Sequence, residues 1–391
     1  MLLPALACGS GGDTTTDDAT DTTGPATTGA TDPPTTGAPE GDLNDRELGA
    51  AASAACLAAA PKVAQLTAAA DAGDAAAAAA AYAGPLQTYV QALDAAHERT
   101  DDTEISAWLQ GGGPALAAAA ARVHVAFAAQ FRASLAAVEE GAEDKYAAWD
   151  EAHCTFEAAV RPLAVEADSV TWHAVDETIA DDIVGALAAG HDAIQGEPPA
   201  TSLDEWRALP SKQIAEKSLY RATQRVIVEL AGKQEEVAAR RALELFAIVE
   251  DRLEGRNTPG IAQVKAILGG DPAAIDAQVI LAELDIAFAK RTRRYCSAAI
   301  DDGEVATPAG HEGAVEGNTY AKLILPGLLA RVADADPQAY LGEWGGYVDL
   351  VRTGMDEAAL AAVSTRIADQ TCAYQIALGV AACTGEADET E

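Results

Sequence analysis

Apolar side chains recur every three or four residues along most of this chain, which is the spacing of one face of an α-helix. The pattern is clear between Leu116 and Val138, where Val123, Phe127 and Phe131 fall on the same face. Gly/Pro clusters such as residues 111–114 separate the helical segments. No segment shows the strict alternation of a half-buried strand. The sequence therefore predicts an all-α fold.

A weak internal repeat divides the predicted helices into two groups. Five residues of the stretch Thr155–Asp192 return at a single offset of 164 positions. The matched pairs are Thr155 and Thr319, Phe156 and Tyr320, Pro162 and Pro326, Gly190 and Gly354, and Asp192 and Asp356. Duplication of a helical domain would produce such a constant offset, and chance matches are the alternative. We predict two tandem, duplicated helical bundles, residues 43–200 and residues 201–383, followed by an acidic tail, residues 384–391.

Composition sharpens this picture. Hydrophobic residues make up 49% of the chain, mostly as alanine, and aromatic residues only 5%, so closely approaching helices must carry sparse large side chains. The net charge of −35, from 61 acidic and 26 basic residues, argues against binding nucleic acid or docking on anionic lipid. Between Arg207 and Arg294 the balance is 15 basic to 12 acidic residues, so the acidic charge lies on both flanks. Those flanks are either a solvated surface or an attraction for metal cations and cationic partners.

The N-terminal residues indicate a lipid anchor. Residues 1–8 resemble the end of a bacterial lipoprotein signal, in which apolar and small residues precede the cysteine that is lipidated, here Cys8. We expect the complete signal to begin upstream of Met1, because a basic region is missing. Gly9 rather than aspartate after that cysteine implies the outer membrane, facing the periplasm or the cell surface. A chance apolar start with an ordinary cysteine is the alternative.

A linker follows the predicted anchor. Residues 9–42 contain 11 threonines, no lysine or arginine and no large apolar residue. Such a segment cannot bury enough area to offset its chain entropy, so we predict that it is disordered and spans roughly 30 Å. No later run of 18 or more bulky apolar residues occurs. The lipid is therefore the only membrane attachment that the sequence predicts.

The remaining cysteines suggest an oxidising compartment. Besides Cys8 the chain has five cysteines and no Cys-x-x-Cys motif, so at most two disulfides can form and a zinc ribbon is unsupported. The candidates are Cys56, Cys154, Cys296, Cys372 and Cys383. We predict one bridge in each half, Cys56–Cys154 and Cys296 with either Cys372 or Cys383.

Histidines and carboxylates gather in one part of the chain. The candidate ligands are His153, Glu157, His173, Asp176 and Glu177. His153 and Glu157 are four residues apart on a predicted helix and so share a face. If Pro162 reverses the chain, the pair of His153 and Glu157 would meet the second group, residues 173–177, in the bundle core. Together the two groups could hold a divalent metal or iron. The alternative is that these pairs are ordinary surface hydrogen bonds on acidic helices.

The same region resembles the imelysin-like proteins, also called the M75 peptidase-like family. The similar residues are Ala148-Trp149-x-x-Ala152, Phe156-Glu157, Pro162-Leu163-Ala164 and Trp172-His173-Ala174-Val175-Asp176. That family is periplasmic, often lipidated and built from two pseudo-symmetric helical bundles, with a Gly-x-His-x-x-Glu motif linked to iron uptake. The resemblance implies metal-site roles for His173 and Asp176, with Glu157 as a neighbour. Thr171 stands where the motif has glycine and Asp176 where it has glutamate, so the chain matches the motif only at the histidine.

Enzyme signatures are otherwise absent from the sequence. It contains no Gly-x-Ser-x-Gly elbow, no phosphate-binding Gly-x-x-x-x-Gly-Lys loop and no His-Glu-x-x-His motif. We therefore expect a lipid-anchored binding or scaffold protein of the cell envelope, with an envelope protein as partner and an unidentified ligand, and no enzyme. The alternative is a periplasmic metal-handling protein. Its oligomeric state does not follow from the sequence.

Overall fold

A computed structural model of the protein describes residues 46–170, 178–198, 201–381 and 383. Within these ranges the chain is helical except for loops and one antiparallel two-stranded ribbon, formed by Ile194–Gln195 (β1) and Ser202–Leu203 (β2). The predicted all-α fold is confirmed. The predicted signal end with Cys8, the linker and the acidic tail lie outside the described residues.

Four helices precede α5 (Pro114–Glu139), and each of them is shorter than α5. They are α1 (Ala54–Asp71), α2 (Ala75–Tyr82), α3 (Pro85–His97) and α4 (Asp101–Trp108). Local chemistry explains where they begin, since the side chain of Ser53 accepts a hydrogen bond from the amide of Cys56 at the start of α1. Proline occupies the first position of α3 and of α5, where its missing N–H costs nothing. Helices α1, α3 and α4 pack on α5.

A single helical path with one widened turn leads to the next loop. It consists of α6 (Lys145–Thr155), a π-helical turn (Phe156–Val160) and α7 (Arg161–Ser169), and α8 (Ile179–Asp192) follows. Pro162 lacks an N–H and its ring crowds the carbonyl of Ala158, and the π-helical turn gives that carbonyl room. Because Arg161 keeps helical backbone angles, Pro162 does not reverse the chain. The reversal on which the predicted metal site depended is therefore wrong.

The second half of the chain contains the longest helix. It comprises α9 (Glu205–Gly232), α10 (Glu236–Leu245), a 3-10 turn (Phe246–Ile248), α11 (Glu250–Leu253), α12 (Thr258–Leu268), a 3-10 turn (Pro272–Ala274), α13 (Ala277–Tyr295), α14 (Ala298–Asp301), α15 (Pro308–Arg331), α16 (Pro337–Thr353) and α17 (Glu357–Ala377). Helix α9 packs against α5, α7 and α8 from the first half, and against α10, α13 and α15 from the second. It is therefore the central helix of the fold.

The hydrophobic core crosses the predicted boundary at residue 200. One continuous cluster of buried side chains extends in sequence from Ala121 to Tyr374 and includes α9. A smaller cluster joins α1 to α4 with part of α5 and the turn that contains Ala158. The division into two bundles remains a prediction of the sequence, and α9 has neighbours on both sides of it.

The first residues of the repeat occupy comparable positions. The hydroxyls of Thr155 and Thr319 each donate to a carbonyl of the preceding helical turn. The ring of Phe156 lies 6.4 Å from that of Phe131, and Tyr320 lies 5.9 Å from Phe288, so both aromatic residues pack on a neighbouring long helix. This half of the repeat pattern reflects similar helix packing.

The Gly-x-Asp matches do not share a role. Gly190 lies inside α8, whereas Gly354 adopts a left-handed conformation with φ 62° and ends α16. Asp192 is the last residue of α8, while Asp356 caps the start of α17 by accepting from the amide of Ala359. Duplication of the domain therefore stays a prediction carried by the threonine, aromatic and proline matches.

Two disulfides are present among the described cysteines. Cys56 is bonded to Cys154, as predicted, and this bond links α1 to α6. Cys372 is bonded to Cys383, so the predicted bridge from Cys296 is wrong. Cys296 is buried in the core, where its thiol donates to the carbonyl of Thr292. A bridge within the final segment closes only a short loop, a possibility that cysteine spacing alone did not single out.

Candidate functional site

His153 and Glu157 share a helix face, as the sequence predicts. Nε2 of His153 lies 3.8 Å from Oε1 of Glu157, which sits in the π-helical turn. Burial lowers the pKa of His153, although Glu157 and Asp150 oppose that shift, so the neutral imidazole is favoured. The carboxylate of Glu157 also accepts two hydrogen bonds, of 2.9 and 2.8 Å, from Nη1 of Arg161. A metal ion bound by Glu157 would have to compete with that guanidinium.

The other predicted metal ligands cannot be added to this pair. His173, Asp176 and Glu177 lie outside the described residues. Among the residues that the structure describes, no group of three or more His, Cys, Asp or Glu side chains is arranged to hold a metal ion. The metal site therefore rests on one described pair of side chains.

His191 and Asp150 form a buried pair that anchors the start of the folded chain. Nε2 of His191 lies 3.5 Å from Oδ1 of Asp150, and both side chains are 2% exposed. The two carboxylate oxygens of Asp150 accept hydrogen bonds of 2.8 Å from the amide of Gly49 and 2.7 Å from that of Ala51. These contacts fix the segment 46–53 on α6, directly after the predicted linker.

Helix α9 carries charged side chains into the core, which the sequence did not predict. Lys217 is buried, and its Nζ lies 2.7 Å from Oε2 of Glu216 and 3.5 Å from Oε1 of Glu316. Burial alone would lower the pKa of Lys217, but the two carboxylates raise it well above its usual value. Burial would raise the pKa of Glu216, but Lys217 and Arg132 hold it well below its usual range. Both groups are therefore charged at neutral pH.

Arg132 extends this charged network from α9 to α5 and α11. Its Nε donates to Oε1 of Glu216 at 3.3 Å, and its Nη2 donates to Oδ2 of Asp251 at 2.6 Å. The guanidinium groups of Arg132 and Arg252 lie 5.3 and 5.6 Å from the ring centre of Tyr220. Burial raises the pKa of Tyr220 well above its usual value, so its hydroxyl stays neutral and donates to Glu216.

The network reaches the surface in a groove of about 400 Å³ between the end of α3, α5 and α9. The groove, which we call the basic groove, is lined by His97, Arg99, Ala129, Arg132, Ala133, Ala136, Lys212 and Glu216. Its alanines recur at helical spacing on α5 and form an apolar floor. Three cations and one carboxylate line it, in a chain whose net charge is −35.

The cations of the basic groove are held in place by carboxylates. Arg99 donates to Asp101 through Nε at 2.7 Å and Nη2 at 3.2 Å. Lys212 contacts Glu139, and its Nζ also lies 3.3 Å from Oε1 of Glu312. These partners neutralise much of the positive charge, but they do not use every donor. In the described part of the chain, Nη1 of Arg99 donates to no protein acceptor.

Only part of this site could be predicted from the sequence. The near-neutral charge balance between residues 207 and 294 was the one sequence feature that pointed to α9, because it sets the basic residues there apart from the acidic flanks. Arg99 and Arg132 stand alone in acidic or alanine-rich surroundings, and no local pattern brings them together. Only the packing of α3 on α5, and of α5 on α9, places them at one groove.

No protein family, no curated protein and no solved structure matches this chain. The resemblances to lipoprotein signals and to imelysin-like proteins therefore rest on the residues that carry them. No described helix is long and apolar enough to cross a bilayer.

Proposed function

We propose that this protein is a lipid-anchored binding protein of the bacterial cell envelope, and that it holds a small ligand in the basic groove. The observation that carries the proposal is the groove itself. Its volume of about 400 Å³ falls within the range of small-molecule sites. An apolar floor with a few fixed polar groups at the rim is the usual composition of such sites.

The rigidity of the groove supports a binding role. Arg132 is fixed by two carboxylates, and Lys212 contacts two more, so their side chains are positioned before any ligand arrives. Preorganised side chains lose little conformational entropy on binding, which favours affinity for a small solute. The predicted lipid at Cys8 and the linker of roughly 30 Å would keep this binding body at the membrane while it samples its surroundings. An envelope protein that receives the ligand is the partner we expect.

Binding is tested on the full chain carrying Cys8→Ser, by saturation-transfer NMR against anionic, cationic and neutral small solutes. We expect saturable binding of at least one class. Ala133→Leu, which fills the half-buried floor, should abolish it. Ala137→Leu is the matched control, because Ala137 is equally half-buried on α5 but does not line the groove. Absence of binding by every class, or equal binding by both variants, would contradict the proposal.

The anchor is tested separately in a bacterial host. Fused to a complete lipoprotein signal, the wild-type chain should incorporate an alkyne-labelled fatty acid and fractionate with the outer membrane. Cys8→Ser should incorporate none. Labelling that persists in Cys8→Ser would show that Cys8 is not the lipidated residue.

Metal handling is the second candidate function, favoured by the pair of His153 and Glu157 at 3.8 Å. Elemental analysis of the purified full chain would show stoichiometric iron, zinc or copper if this function is correct. His153→Ala and His173→Ala should each reduce that content. A metal-free protein, or unchanged metal in both variants, would remove this candidate.

A further inference from the structure

We infer that the basic groove selects a small organic anion, with one carboxylate or phosphate group on a short apolar body. This inference rests on the proposed binding function and names the class of ligand. Arg99, Arg132 and Lys212 outnumber the single lining carboxylate, Glu216.

Charge alone does not decide the class of ligand, because carboxylates stand behind the cations. Asp101 holds Arg99, Asp251 holds Arg132, and Glu139 and Glu312 hold Lys212. These partners bring the local balance close to neutrality, so a purely ionic attraction would be weak. The selectivity must come from the hydrogen-bonding groups that remain open.

Donors predominate among the groups that remain open in the groove. The exception is His97, whose Nε2 donates to Oε1 of Gln130 at 2.9 Å, so that Nδ1 of the neutral ring is an acceptor. Arg99 and Arg132 each use Nε and Nη2 on carboxylates, and within the described ranges the Nη1 group of each donates to no protein acceptor. Most of the acceptor capacity of Glu216 is already used, since it receives hydrogen bonds from Lys217, Arg132 and Tyr220. A ligand that satisfies such a surface must bring acceptors, and an anionic oxygen makes the stronger hydrogen bond to a guanidinium.

The floor sets the rest of the ligand. Ala129, Ala133 and Ala136 offer no side-chain hydrogen bond and leave shallow space above α5. A short hydrocarbon body would bury apolar area there at roughly 25 cal/mol per Å². A strongly hydrated ion without such a body would gain nothing from this surface. The groove therefore matches an amphipathic anion better than an inorganic one.

Isothermal titration calorimetry of the full chain carrying Cys8→Ser tests the class directly. The probes are hexanoate, hexyl phosphate, inorganic phosphate, hexanol and hexylammonium. We expect hexanoate or hexyl phosphate to bind, and whichever binds more tightly identifies the anionic group. Inorganic phosphate should bind at least about tenfold more weakly than hexyl phosphate, and hexanol and hexylammonium should not bind. Binding should weaken as salt rises.

Two variants of equal charge locate the anion. Arg99→Gln removes a donor of the groove and should weaken binding by about tenfold or more. Arg366→Gln removes one positive charge from α17, where Arg366 contacts Glu343, and should leave binding unchanged. Circular dichroism confirms that each variant folds. If Arg99→Gln does not fold, Lys212→Gln replaces it, with the same expected loss.

The outcomes separate this inference from the proposed function. If hexanol or hexylammonium binds as tightly as hexanoate, and Ala133→Leu abolishes that binding, the groove is a binding site but the anion class is wrong. If inorganic phosphate binds as tightly as hexyl phosphate, the apolar body is wrong. Equal binding by Arg99→Gln and Arg366→Gln overturns the role of the donors. If no probe of any class binds, both the inference and the proposed function fail.

Discussion

The hydroxyl of Tyr374 donates a hydrogen bond to Oδ2 of Asp285, which joins α17 to α13 in the middle of the core. The side-chain amide of Gln224 on α9 donates to the other carboxylate oxygen, Oδ1, at 2.6 Å. Both residues favour the charged carboxylate, yet complete burial opposes it and raises the pKa of Asp285 to about 7. A side chain at position 327 would occupy the place of both the hydroxyl and the carboxylate, which explains Gly327.

Because its pKa is raised, Asp285 makes a contribution to the stability of the fold that depends on pH. The unfolded carboxyl ionises near pH 3.8, whereas the folded one keeps its proton until about pH 7. The contribution is therefore full below pH 3.8 and is lost as pH rises toward 7. Between pH 5 and 6.5 the loss is about 2 kcal/mol in the free energy of unfolding. Asp285→Asn should lack this pH dependence. Urea unfolding at the two pH values would then show a different change in the free energy of unfolding with pH than in wild type.

His124 should contribute with the opposite sign. It lies on α5, buried against α1 and the π-helical turn, and its Nδ1 donates to the carbonyl of Ala159 at 2.8 Å. Burial lowers the pKa of His124 to about 4, from an unfolded value near 6.5. Its contribution is full above pH 6.5 and is lost as pH falls toward 4. His124→Asn should keep the donor and remove this dependence, so the variant should gain stability relative to wild type as pH falls from 6.5 to 5.

The two residues together provide an internal check by urea unfolding. In wild type their contributions to the free energy of unfolding change in opposite directions over the same pH range. Each single variant should therefore show the pH dependence that the other residue causes. The double variant Asp285→Asn with His124→Asn should restore the shallow wild-type slope. Parallel slopes in all four proteins would mean that neither group has the shifted pKa.

The fold was largely predictable from sequence because its determinants are local. Apolar residues at helical spacing, capping side chains such as Ser53 and prolines such as Pro114 specify where helices begin. The continuation through Pro162 was not predictable, because a proline in a helical pattern reads as an end or a bend. The widened turn that accommodates it depends on packing against α5, and His124 bonds a carbonyl of that turn.

The candidate site was harder to predict for a physical reason. Periodicity assigns charged residues to the solvated face of a helix, so Lys217 and Arg221 read as exposed positions of α9. In the structure α9 is enclosed by helices from both halves, and partners distant in sequence hold these charges. Pairing across such distances has no local signature. The His153–Glu157 pair was predictable because it lies within one turn of a helix.

Gly190 should be required for the packing of Trp149. A Cβ at position 190 would overlap the indole ring, which is buried and donates through Nε1 to the carbonyl of Leu187 at 2.7 Å. Gly190→Ala should therefore destabilise the protein by about 1–3 kcal/mol, in spite of the better helix propensity of alanine. Gly185→Ala on the same helix meets no atom within 4 Å and should stabilise by up to about 1 kcal/mol. Equal effects in thermal unfolding would contradict the proposed overlap.

The two disulfides should differ in their contributions to stability. Cys56 and Cys154 are 98 residues apart, whereas Cys372 and Cys383 are 11 apart. Loop-closure entropy in the unfolded chain then gives about 4.7 kcal/mol for the first and about 2.8 kcal/mol for the second. Replacing each pair by serine and measuring urea unfolding should show the larger loss for Cys56 and Cys154. A larger loss from the second pair would mean that native contacts, and not loop length, dominate.

Asp150 should control how firmly the predicted linker is joined to the folded body. Its carboxylate is the acceptor for the amides of Gly49 and Ala51, and no side chain in that segment replaces it. Asp150→Asn keeps the volume but removes one acceptor, so amide exchange across residues 46–53 should accelerate by roughly tenfold or more. Hydrogen-exchange mass spectrometry measures this directly, with Asp349→Asn, an exposed position on α16, as the charge-matched control. Unchanged exchange in Asp150→Asn would mean that Glu151, which accepts from the amide of Ser53 at 2.9 Å, is sufficient to hold the segment.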